Sequence, residues 1–267
     1  MKKKYITYVI LGLIVVIGLF AATWYRYTST VYVATNVEVS NDTTIHFFTK
    51  NYINRYLSYN KISLINKQRR DISTNEIEKT LNQHPYIKQS FCNFSWSGEL
   101  CIKIVQKIPV IRIHQEKKQD YYLDKQGYLI PVLPEALARV CVVTGDIKDS
   151  LPKYSSISIL ALEDSIKDKT LLDDICKIGE YLQKDAFLQA QIGQIVITPK
   201  QEIVAIPTIG EHIIVLGNAE DIQEKMFNLK AFYKEGINKV GWNYYKVINV
   251  NYKNQIVCTK INDIYGF

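Results

Sequence analysis

The sequence predicts an α+β protein with an amino-terminal single transmembrane helix, a small α+β domain, and then a β-rich domain with two helices. Three observations lead to this prediction: an uncharged apolar run near the amino terminus, a strand–helix–helix–strand–strand order of periodic segments, and a later series of short alternating strands. The 267 residues are 47% hydrophobic, which is enough for two modest domains beyond the anchor. The predicted boundaries are a cytoplasmic tail at 1–5, the transmembrane helix at 6–25, the small domain at 33–113, the β-rich domain at 114–261 and a tail at 262–267.

The predicted anchor is the run from Ile6 to Trp24, which contains no charged residue. Its nineteen residues would form about 28 Å of helix, close to the ~30 Å hydrocarbon core of a bilayer. Lys2-Lys3-Lys4 precedes the run and Arg26 follows it, so the positive-inside rule predicts a cytoplasmic amino terminus with the rest of the chain extracytoplasmic. A cleaved signal peptide is the alternative, but Ala21-Ala22-Thr23 gives no good cleavage site and the run exceeds the usual core of about 7–15 residues.

The small domain is predicted from two amphipathic helices between short strands. Val37-Glu38-Val39 alternates as a strand would, and helical spacing of aromatic and aliphatic residues predicts a first helix from Phe47 to Leu57. Ser73-Thr74-Asn75-Glu76 has the form of a capping box, which predicts the start of a second helix. His84-Pro85 ends this helix, because the residue before a proline avoids the helical region.

A hairpin should complete the small domain, with its turn in Ser95–Gly98. Phe91 is expected to share the inner face with the apolar residues of the second strand, which are Leu100, Ile102 and Ile104. If the hairpin turns symmetrically about Trp96-Ser97, Cys92 and Cys101 lie opposite each other on the other face, within adjustable reach of a disulfide. Two free thiols are the alternative.

The β-rich domain is predicted from alternating segments separated by turn residues. The predicted strands are 121–124, 128–130, 140–143, 192–198, 202–207, 212–216, 246–252 and 255–260. An amphipathic helix is expected from Leu171 to Leu182. A second helix is expected after Asn218, a good N-cap, with Gly236 as its C-terminal cap.

The chain shows no pattern typical of an enzyme or a metal site. Its four histidines, at positions 46, 84, 114 and 212, have no partners at metal-ligand spacing, and its five cysteines include no C-x-x-C pair. We therefore expect no catalytic residue, no metal, no cofactor and no small-molecule substrate. The net charge of +7 is scattered, and the clusters Lys67–Arg70 and Lys117-Lys118 are most simply solvated loops, so a nucleic-acid partner is not expected.

In this order, the segments resemble the bacterial cell-division family FtsQ, called DivIB in other lineages. The matching segments are His84-Pro85-Tyr86-Ile87, Trp96, Glu99-Leu100 with Ile102, Ile108-Pro109-Val110, Tyr122-Leu123-Asp124 with Gly127, Leu216-Gly217, Glu224-Lys225, Ile248–Tyr252 and Gln255-Ile256-Val257. The small domain accordingly resembles a POTRA domain. The chain departs from the family pattern at Ser97, where a proline is usual, and at Asn249 and Asn251, where a charged residue is usual.

The resemblance implies a non-catalytic scaffold of the cell inner membrane at the division septum. Such a scaffold recruits and holds the single-pass partners FtsB and FtsL, and other divisome proteins, upstream of septal peptidoglycan synthesis. Two other interpretations stay open: a different POTRA-bearing envelope assembly factor or chaperone, and a membrane-tethered envelope enzyme. An enzyme would need a pocket with convergent titratable groups.

The expected partner site is the last predicted strand, as an edge of the sheet. In the family this region receives a strand from FtsB, and backbone hydrogen bonds explain such strand addition. The candidate residues are Tyr252, Gln255, Ile256, Val257, Cys258, Thr259 and Lys260. By alternation, Gln255, Val257 and Thr259 share one face. Val257→Pro and Tyr252→Ala are expected to reduce partner capture.

Overall fold

The computed structural model describes residues 2–29, 35–40, 48–64, 67–116, 118–134, 137–147, 158–161 and 171–261. The chain divides into two compact units, with the division between Lys107 and Ile108. The sequence analysis placed this boundary at residue 113, later than the structural division.

The first element is the helix α1, Lys2–Ser29. The described side chains of its apolar run are exposed, with Phe20 at 71% and Trp24 at 64%. A helix with the length and hydropathy of a membrane span is not found among the described residues. The membrane helix predicted at 6–25 is therefore unconfirmed and stays a prediction. The side chains of Lys2–Lys4 and Arg26, on which the predicted orientation rests, lie outside the described residues.

The rest of the first unit has the predicted β–α–α–β–β order. Its elements are β1 (Thr35–Ser40), α2 (Lys50–Tyr59), a 3₁₀ turn (Arg69–Asp71), α3 (Thr74–Asn82), β2 (Ile87–Phe94) and β3 (Leu100–Gln106). The three strands form one sheet in the order β1-β3-β2, with β1 parallel to β3 and β2 antiparallel to it. The predicted α+β organisation of this unit is therefore confirmed.

Both helices begin at residues that cap them. The N–H of Tyr52 donates to Thr49 Oγ1 at 3.2 Å, and the N–H of Glu76 donates to Ser73 Oγ at 3.3 Å, as the capping box predicted. The inner faces bury Ile53, Leu57, Ile77 and Leu81 completely. The predicted start at Phe47 lies outside the described residues.

His84 ties α2 to the end of α3. Its side chain is 5% exposed, its Nε2 lies 2.9 Å from the hydroxyl of Tyr52, and its Nδ1 accepts from the N–H of Tyr86 at 3.2 Å. Because Nδ1 accepts, the neutral ring must carry its proton on Nε2 and donate it to Tyr52. Burial, together with nearby Lys107, lowers the pKa of His84 to about 4.

We expect the first unit to lose stability at acid pH because His84 becomes protonated. Because the folded pKa of about 4 lies below the unfolded value near 6.5, stability is complete above pH 6.5 and decreases as the pH falls toward 4. The decrease between pH 7 and pH 5 should be about 2 kcal/mol. Opening free energies from amide hydrogen exchange of α2 and β2 would measure it. His84→Gln, which has no ionisable ring, should show a smaller decrease; equal decreases would contradict the assignment.

The hairpin has a different phase from the predicted one. A bulge lies between Ile87 and Gln89, and the register pairs Phe94 with Leu100, so the turn contains five residues rather than an even number. Phe91 is therefore 47% exposed, whereas Cys92 is buried. Cys92 pairs with Ile102, and Cys101 pairs with Asn93, so the predicted opposition of the two cysteines was wrong. Both are free thiols, on opposite faces.

Alkylation without reductant should separate these two thiols. Burial and Glu78 raise the pKa of Cys92 to about 12, so little reactive thiolate forms there, while Cys101 is half-buried. We expect Cys101 to be modified in the folded protein and Cys92 only after unfolding. A Cys92–Cys101 peptide link in mass spectrometry would contradict the observed register.

The second unit is a nine-stranded mixed sheet with helices. Its strands are β4 (Pro109–Ile113), β5 (Tyr121–Asp124), β6 (Leu129–Pro131), β7 (Cys141–Gly145), β8 (Ile192–Ile197), β9 (Ile203–Pro207), β10 (Ile213–Gly217), β11 (Tyr245–Asn249) and β12 (Val257–Lys260). Their order in the sheet is β12-β11-β10-β9-β8-β7-β4-β5-β6. The helices are α4 (Leu172–Lys184), α5 (Ala186–Gln191), α6 (Ile222–Phe232), a π-helical turn (Tyr233–Ile237) and α7 (Asn238–Val240).

The described part of this unit differs from the prediction in several places. The second helix begins at Ile222 after Asp221, and not after Asn218. The last strand begins at Val257, so Gln255 and Ile256 precede it. Strand β4 belongs to this sheet, between β5 and β7, and not to the first unit. The short helix α5 was not predicted; Asp185 caps it by accepting from the N–H groups of Phe187 and Leu188. The helical segment does not end at Gly236 but passes through the π-helical turn to Gly241, whose φ of 95° marks its end.

Helices provide the crossovers of two of the three parallel strand pairs in this sheet. The pairs β7–β8 and β10–β11 are parallel, and α4 with α5 lies between the first pair in sequence while α6 lies between the second. One apolar core holds the unit together, including Ile111, Ile178, Ile195, Leu229 and Ile248. The second of these crossovers leads from β10 through α6 to the final hairpin, which consists of β11 and β12.

Candidate partner-binding edge

Strand β12 lies at one end of the nine-stranded sheet. It pairs antiparallel with β11, and in the described part of the chain no strand lies on its other side. The strand contains no proline, and Lys260 is its only charged residue. Natural edge strands commonly carry such blocking residues, so this edge has little protection against pairing.

The register determines which backbone groups of β12 point outward. The N–H of Val250 donates to the carbonyl of Val215 on β10, so the backbone groups of Asn249 point the other way, toward β12. Asn249 is paired with Val257, whose N–H and C=O therefore face β11. By alternation, those of Cys258 face away from the sheet.

A second hydrogen bond supports this direction. The N–H of Ile261 donates to the carbonyl of Tyr244 at 3.2 Å, so the odd-numbered residues after Val257 face β11. Proline at Val257 would therefore remove a bond to β11, so a loss of partner capture by Val257→Pro would not by itself show strand addition.

The candidate side chains divide between the two faces of the sheet. Ile256 and Cys258 are half-buried against the core, and burial raises the pKa of the Cys258 thiol. Val257 is 46% exposed on the other face and Tyr252 is 51% exposed in the turn before the strand. The remaining candidates are Gln255 and Lys260, which are exposed, and Thr259, which is half-buried.

Lys225 fixes the turn next to this edge; the sequence analysis named it only within the family-like pair Glu224-Lys225 and assigned it no role. It is 8% exposed, and its Nζ lies 2.9–3.0 Å from four acceptors, which are the carbonyls of Leu216 and Asn218 and the Oδ1 atoms of Asn218 and Asn251. The three N–H donors of the ammonium group are shared among them. Burial lowers the pKa of Lys225, and nearby acidic side chains oppose this shift. The ammonium group thus joins the loop after β10 to the turn after β11.

A shallow groove borders Tyr252 and the start of α6. It holds about 400 Å³ of space, part of which is open solvent. Its lining residues are Asn218, Glu220, Asp221, Glu224, Lys225, Asn228, Val250, Asn251, Tyr252 and Lys253. The groove is polar and acidic around the ammonium group of Lys225, so it continues the exposed edge beyond the strand.

The other titratable groups do not form a reactive site among the described residues. The described residues contain no group of three or more histidine, cysteine, aspartate or glutamate side chains that could hold a metal ion. His212 is 1% exposed and its Nε2 lies 2.8 Å from the hydroxyl of Tyr233, within packed aromatic rings. His114 and Arg112 both bond to Asp120, which lowers the pKa of this carboxyl despite its partial burial.

Comparison with known protein families agrees with this architecture. Residues 32–105 match the model of a POTRA-like domain, which defines the class as a POTRA-bearing protein. Residues 108–259, more than half of the 267, match the model described as FtsQ/DivIB, C-terminal related. The chain therefore belongs to the FtsQ/DivIB family, as the sequence segments indicated. Domains of this kind are typically non-catalytic scaffolds, and the family suggests a division-site membrane protein. No curated protein matches the chain.

Proposed function

We propose that this protein is a non-catalytic cell-division scaffold that recruits and holds FtsB-like and FtsL-like partners upstream of septal peptidoglycan synthesis. The observation that carries this proposal is the edge strand β12, which has few residues that block pairing with another strand and lies in an FtsQ/DivIB domain. The partner would add one strand to β12, and its backbone would pair with the outward groups of Cys258 and Lys260. Exposed Val257 and Tyr252 would supply side-chain specificity.

The proposal includes an anchor in the cytoplasmic membrane. Its support is the uncharged run from Ile6 to Trp24 within α1 and the position of Lys2-Lys3-Lys4 before it. With the amino terminus in the cytoplasm, both folded units would lie on the extracytoplasmic side, where the partners' exposed segments would meet β12.

Depletion in the native host tests the function, and reporter fusions after Phe267 test the topology. We expect depleted cells to form filaments or chains with blocked septa, and plasmid-borne wild-type protein to restore division. A reporter active only outside the cytoplasm should be active, and one active only in the cytoplasm should be silent. Normal septation after depletion would reject the division role, whereas the opposite reporter pattern would reject the orientation alone.

A further inference from the structure

The tip of the β2–β3 hairpin displays a tryptophan on an ordered turn. Trp96 is 99% exposed, although the turn that carries it is held by its own hydrogen bonds. The N–H of Ser95 donates to the carbonyl of Glu99 at 2.9 Å, and the N–H of Gly98 donates to the carbonyl of Ser95 at 3.1 Å. Tryptophan, with its apolar body and polar N–H, is enriched where a membrane meets water.

The strand register places this tip at the end of the sheet where the chain arrives from α1. Thr35, the first residue of β1, pairs with Leu100, and Leu100 also pairs with Phe94 at the hairpin end. Because β1 runs parallel to β3, both strands start at the same end of the sheet. Five residues separate Ser29 from Thr35, so the connection spans at most about 20 Å.

The basic 3₁₀ turn Arg69–Asp71 lies at the same end. The guanidinium of Arg69 lies 4.5 Å from the ring centroid of Phe94, one residue before the hairpin turn, and this 3₁₀ turn also contacts α1. Arg70 within this turn and Lys67 just before it are both exposed. Asp71 and the exposed Glu99 offset part of this positive charge. Trp96 is therefore the principal group for membrane contact, and the basic side chains would add attraction to lipid phosphates.

We propose that Trp96 inserts into the interfacial region of the bilayer that holds α1, with Lys67 and Arg70 beside lipid phosphates. This inference rests on the membrane anchor of the proposed function and adds a second attachment point. Two attachments, α1 and the hairpin tip, restrict the tilt of the POTRA-like domain relative to the membrane. The domain then presents a constant orientation to its surroundings, which a single attachment point does not provide.

Quenching by brominated lipids in vesicles of phosphatidylcholine and phosphatidylglycerol tests this contact on the full-length protein. The chain has three tryptophans, so the wild-type spectrum minus that of Trp96→Phe isolates Trp96, and the same difference with Trp24→Phe isolates the anchor. We expect the Trp96 component to lose emission to brominated acyl chains and to be protected from a water-soluble quencher. Phe at position 96 will not disturb folding, because the side chain makes almost no contact with the protein.

A matched control moves the tryptophan to the end of β2 that is far from the hairpin tip. Gln89 is exposed and pairs with Val105, so Gln89→Trp in the Trp96→Phe background should not be quenched by the lipid. Quenching of this control equal to that of Trp96 would overturn a contact specific to the tip. A quenched Trp24 with an unquenched Trp96 would overturn the inference while leaving the anchor, and would favour a protein partner for the tip. An unquenched Trp24 would reject the anchor itself.

Discussion

Cys258→Pro should reduce partner capture by at least about 10- to 100-fold, while Cys258→Ala should leave it nearly unchanged. The N–H of Cys258 faces away from β11, so proline at this position removes a donor that only an added strand would use. The proline ring would also occupy the side from which the partner approaches. The measurement is the Kd of the purified FtsB–FtsL-like complex for each variant.

The alanine variant controls for the side chain, which is half-buried against the core. Val257→Pro is the complementary control, because the N–H of Val257 faces β11 and its loss should weaken the hairpin itself. Tyr252→Ala, in the exposed turn, should weaken binding without changing stability, since half of its surface is open to a partner. Wild-type affinity in folded Cys258→Pro protein would show that the partner does not pair with this edge.

Lys225→Met should destabilise the second unit by about 2–4 kcal/mol. Methionine has a similar shape but donates no hydrogen bond, so two carbonyls and two amide oxygens lose their shared donor in a largely buried place. Denaturant unfolding followed by the emission of Trp242, which stacks on Tyr233 in this unit, would measure the change.

Lys234→Met is the matched control, because Lys234 is exposed in the helical segment that continues α6. This substitution should change stability by less than about 0.5 kcal/mol. Lys225→Met should also weaken partner binding, since Asn251 loses the bond that fixes the turn next to Tyr252. If the two variants unfold alike, Lys225 does not hold the turn.

The sequence predicted elements better than it predicted their alignment. The capping box at Ser73 and the apolar spacing of α2 depend on residues close in sequence, so both were visible. The hairpin phase depends on one extra residue in a turn and on a bulge near Ile87, and neither changes composition. The residues of β4 lay inside the predicted boundary of the small domain at 113, and nothing in them specifies which sheet the strand joins.

In the candidate site, too, the sequence predicted the element but not its alignment. The position of β12 in the chain and its lack of proline were enough to predict an edge strand. The direction of its backbone groups required the pairing of Asn249 with Val257 and the bond from Val250 to Val215. Lys225 was named only within the family-like pair Glu224-Lys225 and had no predicted role, because its acceptor on Asn251 lies 26 positions further along the chain.

The two ends of the described nine-stranded sheet are unequal. The end strand opposite β12 is β6, which has three residues and includes Pro131, so it is a poor template for another strand. Head-to-tail polymerisation of identical subunits requires two complementary open ends, and this sheet offers one. Pairing of two β12 edges would close into a two-fold dimer and stop there. Strand pairing through the ends of this sheet therefore stops at two copies and does not extend into fibres.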